Sequence, residues 1–148
     1  SVALVHGMSR PIGAFYHVPH GLSNAMLLPM VTEFSIPAAI ERYADCARAM
    51  GLSTEDDSNH IANSKLMDEL YAINEELQVP SPEQFGIDRD HFFNNLPVMA
   101  EQALASGSPG GLPDNPLGLS TLYLWSDHSY HSSIFPLRYE FGNPYRLL

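Results

Sequence analysis

The chain has 148 residues, enough for one domain with its own core, because ordinary domains have about 100–150 residues. Apolar residues make up 45% and charged residues 16%, which is a globular rather than a disordered composition. The net charge is −10, and the seven lysines and arginines form no cluster. Surfaces that follow nucleic-acid phosphates or anionic membranes need basic clusters, so we expect neither partner.

The cysteine content and the length of the apolar runs indicate the cellular compartment of the protein. A lone cysteine, Cys46, excludes an internal disulfide and fits a reducing compartment. It falls on an apolar helical face, so we expect a packed thiol. The longest apolar run, residues 25–31, is far shorter than the roughly 20 residues of a membrane helix. No secretory signal is visible and Ser1 is not an initiator methionine, so we expect a cytoplasmic protein whose chain was processed or taken from something longer.

The first predicted helix is short. Apolar residues near the N-terminus predict the end of a helix over residues 2–9. Pro11 and Gly13 are expected to stop it, since proline lacks a donor and clashes with the preceding turn. Residues 14–20 are then predicted to form a loop.

The second predicted helix runs from about 21 to 34, with His20 opening it. It is apolar on nearly every side, so we expect it to be the most buried element. Pro29 inside it predicts a kink. Asn24 lies one turn after His20 on the same face, where it can approach the same pocket or make a helix–loop hydrogen bond.

Three more helices complete an all-α fold of about five helices. One restarts near Ser35, with a proline in its first turn, and ends at Gly51. An amphipathic helix is predicted at about 59–77, and the last at about 89–105 after a cap at Asp88. No internal repeat is present.

The most informative stretch runs from His6 to Asn24. His6 ends an apolar segment, and His20 follows a proline and opens the next helix. Side chains from two separate elements can converge on one point, as a metal site requires.

This stretch resembles the signature of the iron-containing alcohol dehydrogenases, a metal-dependent, NAD(P)-linked family. The family pattern runs roughly H-x-M-A-H-x-L-G-x-x-x-x-x-P-H-G-x-x-N-A-x-L-L-P. The resemblance implies that His6 and His20 are metal ligands. Arg10 stands where the family has a second histidine, often assigned to the catalytic pocket, and His17 stands where the family usually has another residue. The other matching positions are Gly13, Pro19, Gly21, Asn24, Ala25, Leu27, Leu28 and Pro29.

The resemblance covers residues 1 to about 109 and implies a helical bundle like the C-terminal domain of that family, truncated at its N-terminus. Residues 110–148 are an unmatched tail, expected to be irregular. Its aromatic and aliphatic residues could form a hairpin or lie over the core, and an altered reading frame or a foreign junction would also explain it. His128 and His131 form a His-x-x-His pair within this tail, with the same spacing as His17 and His20.

The resemblance also implies a chemistry. In the family, Fe²⁺ or Zn²⁺ is held by one aspartate and three histidines, and it polarises an alcohol or carbonyl oxygen while hydride moves to or from NAD(P). The aspartate, one histidine and the nucleotide-binding half lie upstream of the motif, and no glycine-rich nucleotide signature is present here. We therefore expect half a metal site, with Arg10 and His17 lining the pocket. The parent enzyme would oxidise a primary alcohol or reduce an aldehyde, and this chain alone would be inactive.

Two other functions remain open from the residues. One is a non-catalytic helical module that forms a homo-oligomer through apolar surface left uncovered by the missing domain. The other is a weak hydrolase that uses a zinc-bound water. His17 could join His6 and His20 as a third ligand if the loop rearranged; otherwise it is simply exposed.

Overall fold

The computed structural model describes residues 3–106. Within that range the chain forms five α-helices and no strand, which confirms the predicted all-α class. The helices are α1 (Leu4–Tyr16), α2 (His20–Ser35), α3 (Ile40–Ala49), α4 (Asn59–Glu76) and α5 (Arg89–Ala105), with a single 3₁₀ turn at Ile36–Ala38.

The helices pack as two groups that meet where α4 contacts α2. The larger core lies between α1, α2 and α5, and the smaller core lies between α3 and α4. Two side chains of α4 reach back to α2: Asn74 Nδ2 donates to the Ala25 carbonyl oxygen at 2.9 Å, and the Tyr71 hydroxyl donates to Met30 Sδ at 3.1 Å. These contacts tie the smaller group to the larger one.

The prediction that α2 is the most buried element is confirmed. Seven of its 16 residues are buried, a larger share than in any other described helix. Leu27 and Met30 are almost completely enclosed. The apolar sequence on nearly every side of α2 follows from its position, because α1 and α4 both pack against it.

The prediction that Pro11 and Gly13 end the first helix is wrong. Helix α1 continues through both residues to Tyr16. A proline inside a helix costs about 3 kcal/mol. Burial of each large apolar side chain contributes roughly 1.5–3 kcal/mol, and Met8 and Ile12, on either side of Pro11, are at most 1% exposed. Tertiary packing therefore offsets the local penalty.

Three other helix ends follow local rules. Helix α4 begins after Ser58, whose Oγ accepts a hydrogen bond from the Ile61 N–H at 3.3 Å. Helix α5 begins after the predicted cap, Asp88, whose Oδ1 accepts from the His91 N–H at 2.8 Å. Gly51, just after α3, adopts φ +75°, which glycine takes without strain.

The prediction that Cys46 packs inside is also wrong, because its side chain is exposed. Ala44 and Ala47 form the buried face of α3. Cys46 follows Ala44 by two residues, which places it about 200° around the helix on the opposite side.

The proposed boundary near residue 109, the unmatched tail and the His128–His131 pair all lie outside the described residues. Within residues 3–106, no helix is long and apolar enough to cross a lipid bilayer.

Candidate metal centre

The path of the chain after α1 brings His20 back to the middle of that helix. His17 adopts φ +56° at the end of α1, which reverses the chain direction. The next residues run back along α1, where a methyl group on Gly13 would lie 3.4 Å from the Val18 carbonyl oxygen. His20 therefore reaches Ser9, about two helical turns before the end of α1.

This path places the two predicted ligands side by side. The ring centroids of His6 and His20 lie 5.1 Å apart, and the ring planes meet at 76°. Both residues are exposed to solvent on one side of the α1–α2 pair. The structure thus brings together two imidazoles that are 14 residues apart in sequence.

The His20 ring is held at both nitrogens. Nδ1 lies 3.1 Å from the hydroxyl oxygen of Ser9, which is completely buried. Nε2 lies 3.2 Å from Nδ2 of Asn24. Asn24 is expected to approach the same pocket or to make a helix–loop hydrogen bond, and the structure places its side chain against the ring of His20. Ser9, by contrast, carried no recognisable signal in the sequence, because its contact depends on the path of residues 17–19.

The pair has the spacing that a shared metal ion needs. Two imidazoles bound to one tetrahedral ion, with metal–nitrogen distances of about 2.0–2.1 Å, have ring centroids about 5 Å apart. The observed 5.1 Å matches that spacing. No third His, Cys, Asp or Glu joins the pair within residues 3–106. The donor set therefore fits two ligands of a divalent ion, with the other positions open.

The two predicted pocket residues lie at different distances from the pair. Arg10 is exposed on α1 one turn after His6, on the same helix face. His17 is exposed at the end of α1, eleven residues after His6, which is about 16 Å along the helix axis. Arg10 is therefore next to the pair in the helix, and His17 is separated from His6.

Helix α5 fixes the far end of α1. The Tyr16 hydroxyl donates to the His91 carbonyl oxygen at 3.3 Å and accepts from Asn95 Nδ2 at 3.2 Å. Partial burial raises the pKa of the Tyr16 phenol, Asn95 opposes that shift, and the charge of Asp88 adds to it. The phenol stays neutral and holds α1 against α5, so the turn that delivers His20 has a fixed starting point.

Comparison with known proteins explains why this motif and this fold occur together. A sequence model described as the Fe-containing alcohol dehydrogenase family, C-terminal, matches residues 1–117. The chain belongs to that family. The resemblance inferred from the motif is confirmed, and the family is one of oxidoreductases.

Two relatives of the family illustrate the match in sequence. The lactaldehyde reductase of Escherichia coli K12 is 35% identical over 113 residues, which are 76% of this chain and 28% of that enzyme. The NADPH-dependent butanol dehydrogenase of Clostridium saccharobutylicum is 29% identical over 113 residues, which are 76% of this chain and 29% of that enzyme.

A solved structure shows the match in fold. The crystal structure of a 1,3-propanediol oxidoreductase superposes with a TM-score of 0.75 at 26% identity, covering 84% of this chain and 32% of that one. The all-α arrangement is therefore that of the C-terminal helical domain of the iron-containing alcohol dehydrogenases. The chain spans about 28–32% of the length of these relatives.

Proposed function

We propose that this chain is the metal-binding part of an NAD(P)-dependent alcohol dehydrogenase, and that His6 and His20 are two of the ligands of its Fe²⁺ or Zn²⁺. The observation that carries the proposal is the 5.1 Å spacing of these two rings on the family motif. Imidazole nitrogen suits iron and zinc equally, so the chemistry of the donors agrees with either ion.

The substrate in this proposal is a small alcohol or aldehyde. The names of the relatives support it, since they include a lactaldehyde reductase and a butanol dehydrogenase. When bound, a divalent ion supplies a Lewis acid that polarises the substrate oxygen. The two histidines hold the ion, and Arg10, one turn from His6, lines the substrate side as a positive charge. His17 is assigned to the edge of the pocket.

The nicotinamide cofactor is assigned to another part of the parent enzyme. This chain contains no glycine-rich dinucleotide signature, and one relative is named as NADPH-dependent. The remaining ligands, an aspartate and a third histidine, are likewise placed upstream of the motif in the parent. The 148-residue chain should therefore bind a metal ion weakly and show no dehydrogenase turnover by itself.

We also propose that this chain self-associates. Seven large apolar side chains are 38–69% exposed on the described surface: Leu28, Ile40, Met50, Ile61, Leu77, Phe85 and Val98. A contiguous patch that includes some of these side chains would favour association. Light scattering at high protein concentration should show a homo-oligomer, and a monomer would count against this.

Calorimetric titration with Zn²⁺ tests the metal assignment. His6→Ala and His20→Ala should each abolish binding, while His60→Ala, at an exposed position on α4, should leave it unchanged. Each variant should keep the wild-type circular dichroism, since both ligands are exposed and neither fills the core.

Two results would contradict the proposal. One is unchanged Zn²⁺ binding in His6→Ala and His20→Ala. The other is an ion that survives dialysis against chelator and whose loss in His20→Ala unfolds the domain, because two ligands cannot supply that much stability. NAD(P)H turnover by the purified chain would contradict the assignment of the cofactor to another part.

A further inference from the structure

The hydroxyl of Ser9 lies within hydrogen-bonding distance of both the His6 carbonyl oxygen and Nδ1 of His20. Ser9 Oγ donates to the His6 carbonyl oxygen at 3.1 Å, and the same oxygen lies 3.1 Å from His20 Nδ1. A hydroxyl has a single hydrogen, and it is used at the His6 carbonyl when the hydroxyl donates there. The contact to the ring must then use a lone pair of Oγ, so Nδ1 carries the hydrogen and donates it.

The contact at the other nitrogen indicates the same tautomer. Asn24 Nδ2 lies 3.2 Å from His20 Nε2. An amide nitrogen donates and does not accept, so Nε2 must present its lone pair. Reversing the Asn24 amide would place Oδ1 at Nε2 and require the opposite tautomer. Ser9 would then have to turn its hydrogen away from the His6 carbonyl to the ring.

We propose that Ser9 is a positioning residue that holds His20 in the Nδ1–H tautomer and so makes Nε2 the metal-binding nitrogen. Histidine ligands usually donate the hydrogen of their second nitrogen to a neighbouring acceptor, which fixes the ring and increases its basicity. Here the acceptor is a serine on the helix that carries the other predicted ligand. The tautomer is inferred from the two contacts of the ring, to Ser9 and Asn24; its consequence for metal binding rests on the proposed function.

Ser9 also links the two histidines through the contacts of its hydroxyl. It lies three residues after His6, and its hydroxyl joins the backbone of His6 to the ring of His20. Because Ser9 is completely buried, water cannot readily replace it as the acceptor. The amide of Asn24 occupies the lone pair of Nε2, and an incoming ion would displace that amide.

Nitrogen-15 NMR of the imidazole rings in the metal-free 148-residue chain tests the tautomer. The sample is kept at about pH 8.5, roughly two units above the ordinary pKa of histidine, so that the rings are neutral. The His20 signals are identified by their loss in His20→Ala. We expect Nδ1 protonated and Nε2 unprotonated in the wild type, and a shift of the population towards Nε2–H in Ser9→Ala.

Ser23→Ala is the matched control. Ser23 is equally buried, and its hydroxyl donates to the backbone carbonyl of His20 at 3.0 Å rather than to the ring. This variant should keep the wild-type tautomer. The family pattern has alanine at the position of Ser9, so Ser9→Ala is expected to fold.

Competition with a chelator then measures Zn²⁺ affinity. Ser9→Ala should lower it about tenfold, the lower end of the usual effect of removing a partner of a metal ligand, and Ser23→Ala should leave it unchanged. Two results would overturn the inference. One is a His20 ring protonated at Nε2 in the wild type, and the other is a tautomer population that is the same in Ser9→Ala as in the wild type. If the wild type binds no Zn²⁺, the proposed function fails while the NMR result still decides the role of Ser9.

Discussion

Replacing Leu27 by alanine removes a branched side chain from the centre of α2, where it is 0% exposed. Such a change loses the transfer free energy of the deleted carbons and leaves a cavity that neighbours fill only in part. We expect the free energy of unfolding to fall by about 3–5 kcal/mol. A domain has about 5–15 kcal/mol in total, so this is a large share.

The adjacent residue supplies a matched control. Leu28 is on the same helix but is 40% exposed, so its alanine variant has the same chemistry and nearly the same change in helix propensity. The Leu28→Ala change deletes three carbon groups, worth about 0.8 kcal/mol each when fully buried, and about three-fifths of the side chain is buried. The free energy of unfolding should therefore fall by about 1–1.5 kcal/mol, because no enclosed cavity is left.

Urea denaturation followed by circular dichroism gives both values, provided that the dependence on urea is the same for the three proteins. Leu27→Ala should be more destabilising than Leu28→Ala by about 1.5–4 kcal/mol. Equal losses for the two variants would refute the placement of α2 between α1 and α4 with Leu27 inside.

The remaining predictions concern helix ends and one carboxylate. Ser58→Ala and Asp88→Ala should each lower the free energy of unfolding by about 0.5–2 kcal/mol through loss of a cap, and no change in urea denaturation would contradict this. His17→Gly should raise the free energy of unfolding by about 0.5–1 kcal/mol, because a φ of +56° strains histidine but not glycine. The hydrogen bond from Lys65 Nζ to Asp57, with others from neighbouring residues, holds the pKa of that carboxyl well below its usual value. Its stabilisation is therefore present above the unfolded pKa and is lost as the pH falls below about 4, so thermal unfolding of Asp57→Asn should depend less on acid than that of the wild type.

How far the fold could be predicted depends on whether its causes are local. The start of α5 follows from Asp88 and the end of α3 from Gly51, and both signals lie within a turn of the feature they set. The continuation of α1 through Pro11 has a distant cause, since it rests on packing of Met8 and Ile12 against other helices. A rule based on neighbouring residues includes the cost of the proline but not the burial that offsets it.

In the candidate site, too, the features with local causes could be predicted from the sequence and those that depend on the path of the chain could not. His6 and His20 could be identified because their residue types and spacing form a motif. Their approach to 5.1 Å depends on the reversal at His17 and on the close passage of the chain over Gly13. The contact between His20 Nδ1 and Ser9 Oγ has no sequence signature, because it exists only once that path is fixed. The metal-binding roles of His6 and His20, and the pocket roles of Arg10 and His17, remain predictions.

The proposed metal site requires His6 and His20 to share one divalent ion, and anomalous diffraction from crystals soaked in Zn²⁺ shows whether they do. We predict an anomalous peak between the two rings, about 2.0–2.1 Å from one nitrogen of each. A peak elsewhere with none between these rings, or a peak bonded to only one of them, would contradict it.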